Sequence, residues 1–139
     1  MKTSLNPKPV QDDHKTIQSL GMPWEKEYGY AQAVRHRDTV WISGQLGHNK
    51  EGMLLVGMQD QMRQAYANLA TLLEGFGMKP ADIMEEVLYV TDMATAFEAR
   101  KILGYEFYPD PMRVASTIVV ISGLALPGQL VEIKAVAQL

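Results

Sequence analysis

At 139 residues the chain is sized for one domain around one hydrophobic core, and 47% hydrophobic with 21% charged residues is the composition of an ordinary soluble globular protein. A formal net charge of −3 argues against a broad nucleic-acid-binding face, which needs clustered Lys and Arg to neutralise phosphates. The absence of cysteine excludes disulfides, thiolate metal sites and a cysteine nucleophile, and no apolar run approaches the ~20 residues of a membrane-spanning helix.

Met1 to Lys15 is mostly polar and lacks the apolar core of a secretory signal, so a cytoplasmic protein without a membrane partner is expected. Residues 1–20, with Pro7, Pro9 and a polar run ending at His14, read as an N-terminal arm of a single domain spanning 1–139. The stretch Leu20 to Glu25 reads as a turn leading into a first strand, where Tyr30, Gln32 and Val34 alternate with Ala31, Ala33 and Arg35. His36-Arg37-Asp38 suits a hairpin turn before a β-branched and aromatic run, Thr39-Val40-Trp41-Ile42-Ser43, which Gly44 should end. A loop over 47–52 and a short third strand over 53–56 follow.

Met58, Met62, Ala65, Tyr66, Leu69, Leu72, Leu73 and Phe76 recur at i, i+4, i+7, i+8, i+11, i+14, i+15 and i+18, which predicts one long amphipathic helix. Gln61, Arg63, Gln64, Asn68, Thr71 and Glu74 fall on its polar face, and Gly75, Gly77 and Pro80 stop it. Ile83 to Thr91 reads as a strand. Asp92 is placed to cap a second helix over 94–107, with Phe97, Ile102 and Leu103 expected to be buried. Pro109 and Pro111 end that helix before two C-terminal strands joined through Leu126-Pro127-Gly128. The order predicts one α+β domain. In the first C-terminal strand, Ile118 and Val120 share one face and Thr117, Val119 and Ile121 the other. Two helices can cover only one face of such a sheet, so a second copy of the chain is the simplest cover for the other.

Most motifs carry no chemistry. His14, His36 and His48 lie far apart without ligand spacing, so no metal site is expected. Gly75-Phe76-Gly77 ends a helix, whereas a nucleotide fingerprint opens one, and Ser43 and Ser122 lack the Gly-x-Ser-x-Gly elbow. Glu132 stands out. It lies in a strand whose alternate residues Val131, Ile133, Ala135 and Ala137 form an apolar face, while Glu132, Lys134 and Val136 point the other way. A carboxylate on a covered face can orient or deprotonate water; equally, Lys134 two residues on can pair with it.

The run Val114-Ala115-Ser116-Thr117, the turn Leu126-Pro127-Gly128 and Glu132 in the final strand together resemble the signature of the RidA/YjgF (Rid) family, whose best-known members hydrolyse reactive imines and enamines. Tyr28-Gly29-Tyr30-Ala31-Gln32-Ala33-Val34 is similar to the family segment whose tyrosine lines the pocket, and Ile42-Ser43-Gly44-Gln45 to its Ser-Gly-Gln strand end. The resemblance implies a chorismate-mutase-like α+β fold, a mixed sheet with two helices on one face. It also implies a homotrimer with sites between subunits, and no cofactor. It places Glu132 as the water-activating residue and Tyr30, Gly44, Gln45, Ser116 and Thr117 at the ligand. Where the family carries an arginine that grips the substrate carboxylate, this chain has Ser116. Where a pocket asparagine stands on the second helix, it has Arg100. Arg113 and Arg100 are the candidates to replace the lost charge, because a hydroxyl cannot reproduce a bidentate guanidinium. The expected function is that of a small-metabolite-binding protein, with hydrolytic deamination of an imine or enamine other than the small 2-imino acids. The scaffold also serves a deaminase of 2-aminomuconate. Binding without catalysis is the alternative. Ribonuclease activity, attached to some relatives, ranks last given the acidic balance and the lack of a histidine pair.

Overall fold

The computed structural model describes residues 14–139. Six strands form one mixed sheet: β1 (Thr16–Gln18), β2 (Ala33–His36), β3 (Thr39–Gln45), β4 (Ile83–Val90), β5 (Ala115–Val120) and β6 (Val131–Gln138). Their spatial order is β1-β2-β3-β6-β4-β5, with β4 and β5 parallel and every other neighbouring pair antiparallel. Three helices accompany them, α1 (Pro23–Tyr28), α2 (Met58–Glu74) and α3 (Met93–Phe107).

The core lies between the sheet and α2 with α3. On β6 the period-two pattern is strict, and Val131, Ile133, Ala135 and Ala137 are buried beneath the helices. The predicted stripe of α2 supplies the opposing layer, with Met62, Ala65, Leu69 and Leu73 fully enclosed. Asp92 caps α3 as expected, its carboxylate accepting from the Thr95 amide at 2.9 Å. The β4–α3–β5 crossover explains the parallel pair, since such a connection needs a helix-length excursion.

Two irregularities place functional side chains. Register shifts between Ile42 and Gln45 on β3, so Ile42 and Gln45 both face the core while Ser43 and Gly44 turn to the open side. A second shift between Ile83 and Glu85 on β4 likewise puts Ile83, Glu86, Leu88 and Val90 on the helix-covered face.

Several expectations are corrected. Residues 1–13 of the expected arm lie outside the described residues, and its end forms β1, paired to β2. The expected turn over Leu20 to Glu25 opens into α1, because Pro23 at the first helical position has the right φ and Glu25 binds the free amides. Strand β2 begins at Ala33, later than the alternation suggested, and the segment over 53–56 makes only an isolated bridge between His48 and Leu54. Gln61 and Asn68, assigned to the polar face of α2, are buried because loop backbone groups satisfy their amides. On α3, Leu103 is buried but Phe97 and Ile102 are about half exposed, since that helix presents Ala96, Ala99 and Leu103 to the core. In the single protomer β5 is a largely exposed edge strand.

Candidate functional site

The face of the sheet away from α2 and α3 carries a concave cavity of about 660 Å³. Trp24, Tyr28, Tyr30 and Trp41 give it aromatic walls, and Glu132 is its acidic group. Glu132 reaches it by the alternation of β6 and is held on two sides. Gln129, itself buried, donates Nε2–H to Glu132 Oε1 at 3.3 Å while its own Oε1 accepts from the Leu126 amide. On the other side the carboxylate lies against Gly44, where a Cβ would overlap it. The β3 bulge therefore has a chemical consequence: it brings a residue without a side chain against the carboxylate. Glu132 and Lys134, whose pairing was the alternative reading, do not form an ion pair with each other; Arg63 pairs with Asp60 and Glu106, Arg100 with Glu86, and Lys101 with Glu98.

The loop that starts β6 is pinned from α2. Gln61 donates Nε2–H to the carbonyls of Leu55 and Gly128, both at 2.9 Å, and its Oε1 accepts from the Leu130 amide at 2.8 Å. Gln61 thus fixes the Pro127-Gly128 turn four residues before Glu132.

Behind Tyr30 runs a chain of buried amides and one carboxylate. Gln45 Nε2 donates to Gln32 Oε1 at 2.7 Å, and Gln32 Nε2 donates to Glu25 Oε2 at 3.0 Å and, at 3.4 Å, to the Tyr30 hydroxyl oxygen. Burial, then the negative charge of Glu25, raises the Tyr30 pKa, so the phenol keeps its proton and can donate it into the cavity. Burial works against the Glu25 charge, but bonds from Ser19, Gln32 and the Met22 and Leu20 amides outweigh it and hold its pKa below the ordinary 4.5. A depressed carboxyl stabilises the fold above its unfolded pKa, and that contribution is lost as pH falls through the folded value. In thermal melts, Glu25→Gln should therefore lie below the parent at neutral pH, and the gap should close below about pH 4.5. A gap independent of pH would remove the carboxylate's charge from the explanation.

A second cluster lies on the opposite, helix-covered face. Glu86 is fully buried on β4 and takes four hydrogen bonds. Tyr66 and Tyr108 donate their hydroxyls to Oε1 at 2.8 and 2.6 Å, and Arg100 Nε–H and the Ser116 hydroxyl donate to Oε2 at 2.7 and 2.6 Å. Burial, followed by the Glu86 charge, pushes both tyrosines well above their ordinary range, so both remain donors. The Arg100 guanidinium stacks over the Tyr108 ring at 5.6 Å and lies against Gly104, where a side chain would displace it.

Of the residues the sequence singled out, the single protomer gathers Tyr30, Gly44 and Glu132 at the cavity. Gln45 is buried behind it as a support. Ser116 and Arg100 belong to the Glu86 cluster. Thr117 is exposed on the other side of β5, and Arg113 is exposed in the short 3-10 turn before that strand. β4 separates β5 from β6, and Ser116 pairs with Glu86 whereas Glu132 pairs with Tyr89, so Ser116 and Glu132 are roughly 14 Å apart and point to opposite faces. Sequence reasoning missed Gln129, Gln61, Gln32, Glu25 and Glu86. The described residues hold no group of three or more His, Asp or Glu arranged to bind a metal ion, and no helix long and apolar enough to cross a membrane.

Comparison with known proteins adds to this geometry. The sequence matches the family described as Endoribonuclease L-PSP over residues 24–139. A RutC family protein of Aquifex aeolicus is 36% identical over 109 residues, covering 78% of this chain and 86% of that protein. A 2-iminobutanoate/2-iminopropanoate deaminase of Dermatophagoides farinae is 30% identical over 91 residues, 64% of this chain and 70% of its own. The crystal structure of RidA from the Antarctic bacterium Psychrobacter sp. PAMC 21119 superposes with a TM-score of 0.79 at 29% identity, covering 89% of this chain and 98% of that one.

Proposed function

This chain belongs to the endoribonuclease L-PSP family, that of the RidA and YjgF proteins, and on that footing we propose that it binds a small metabolite between the protomers of a homotrimer and hydrolyses an imine or enamine there. The observation that carries this reading is the placement of Glu132: a carboxylate fixed by Gln129 and pressed against Gly44 in an aromatic cavity beside a protonated Tyr30. In the proposed reaction Glu132 takes a proton from water as its oxygen adds to the C=N carbon, giving a carbinolamine. Glu132 passes that proton to the nitrogen; as the C–N bond then breaks, the carbinolamine hydroxyl gives up its own proton, by way of Glu132, to the leaving nitrogen, and ammonia and a carbonyl compound are released. The Tyr30 hydroxyl serves as a donor to the ligand. The direct test follows ammonia release from imines generated in situ, against the spontaneous rate. A rate no faster than spontaneous across a panel of imines would defeat the catalytic half of the proposal.

The trimer rests on what one protomer leaves open. The helices cover one face of the sheet, whereas Trp41 on the other face and Val119 and Val120 on the β5 edge remain partly exposed. A second copy would cover them and bring its β5 to the cavity. Light scattering at micromolar concentration should give three times the monomer mass; a stable monomer would contradict the proposal. Binding without turnover is the second reading, supported by one feature: Arg100 and Ser116 are both committed to Glu86.

A further inference from the structure

Ser116 is exposed on the β5 edge, but its hydroxyl is turned back onto the sheet. Its hydroxyl donates to the carboxylate of Glu86 at 2.6 Å, and the same oxygen holds Arg100 at 2.7 Å. Glu86 has no exposed surface, and the Arg100 side chain is only 18% exposed. The Arg100 charge is therefore matched, at contact distance, by a buried negative one. The Glu86 oxygens are saturated by four donors, so no acceptor site is left to meet a ligand. Its effect on the surroundings is electrostatic. A ligand carboxylate approaching Arg100 or Ser116 would meet a pair of zero net charge, and in a partly dry cleft the nearby Glu86 would repel it.

We propose that Glu86 is a specificity-determining residue: by neutralising Arg100 and engaging the Ser116 hydroxyl, it makes the β5 side of the site select an uncharged, hydrogen-bonding ligand group and reject a carboxylate. This rests on the reading that β5 of one protomer faces the cavity of the next, and it narrows the substrate class to imines or enamines without an acid group at that end. It also assigns the arginine-to-serine difference at position 116 a physical counterpart. A long cation at 116 would point at Glu86, the residue that already holds a cation.

The test compares equilibrium binding of two probes of similar shape, pyruvate and its neutral amide pyruvamide, by calorimetry on the assembled protein. The parent should bind pyruvamide at least as tightly as pyruvate. Glu86→Gln keeps the shape and an acceptor for Arg100 but unmasks its charge, and should shift the pyruvate-to-pyruvamide affinity ratio at least tenfold toward pyruvate. Ser116→Arg adds the same unit of charge from an exposed strand edge, should shift the ratio in the same direction, and decides alone if Glu86→Gln does not fold. A parent that binds pyruvate tenfold more tightly than pyruvamide would overturn the proposal. So would folded, assembled variants whose ratio is unchanged or which bind neither probe. These are binding readouts and do not depend on proton transfer by Glu132. A protein that shows the predicted selectivity but accelerates no imine hydrolysis loses the catalytic reading and keeps this one.

Discussion

Glu132→Gln should fold, assemble and melt like the parent while losing hydrolysis of any imine the parent turns over, by about a hundredfold to ten-thousandfold. The amide keeps the size of the side chain and can still meet Gln129 after a flip of its own. It cannot accept a proton from water. Gly44 leaves room for the group without demanding its charge, and no ion pair with Lys134 is broken by the change. The effect should therefore appear in kcat with KM little altered, the pattern of a group that acts in the transition state. Unchanged turnover in a well-folded variant would remove Glu132 from the chemistry.

The largest effect on stability should come from the other face. Arg100→Met would leave the Glu86 carboxylate at 0% exposure without its cation, although Tyr66, Tyr108 and Ser116 would still donate to it. Removing one partner of a buried pair costs about 3–5 kcal/mol, which in a domain of this size lowers Tm by roughly 10 °C or more. Adding Glu86→Gln to that variant should recover part of the loss, because the penalty comes from the uncompensated charge and not from the missing contact area. Equal melting of the parent and Arg100→Met would show that the pair contributes nothing to the fold, and chemical denaturation of the same three proteins would check the order.

The contrast between these two sites shows what a sequence of this kind discloses. Glu132 was visible because it lies in a strand whose alternate residues Val131, Ile133, Ala135 and Ala137 form the core face, which sets a carboxylate on the opposite face. The α2 stripe and the Asp92 cap were equally legible, since each depends on residues within a turn or two of one another. Glu86 was not. Beside Glu85 in a strand it reads as a solvent-facing charge. The groups that make its burial tolerable come from 14, 20, 22 and 30 residues away, on three other elements. Gln61 presents the same difficulty, since one of its carbonyl partners, Gly128, is 67 residues distant. Buried polar residues are satisfied by tertiary partners, and periodicity alone assigns them to the surface. The two strand bulges were hidden for a related reason. A one-residue slip changes which side chains share a face, and only the pairing partner fixes where it occurs. That is why Gly44 could be named as a site residue by resemblance, but the reason for a glycine there, its contact with Glu132, emerged only from the fold.

The proposed site is completed between protomers, with Glu132 of one facing β5 of the next. The most direct measurement is a crystal structure of the assembled protein with pyruvamide bound. A trimer is expected in which the ligand lies within hydrogen-bonding reach of Glu132 and Tyr30 from one protomer, with its amide end toward Ser116 of a neighbour. A ligand enclosed by a single protomer, or bound away from Glu132, would contradict it.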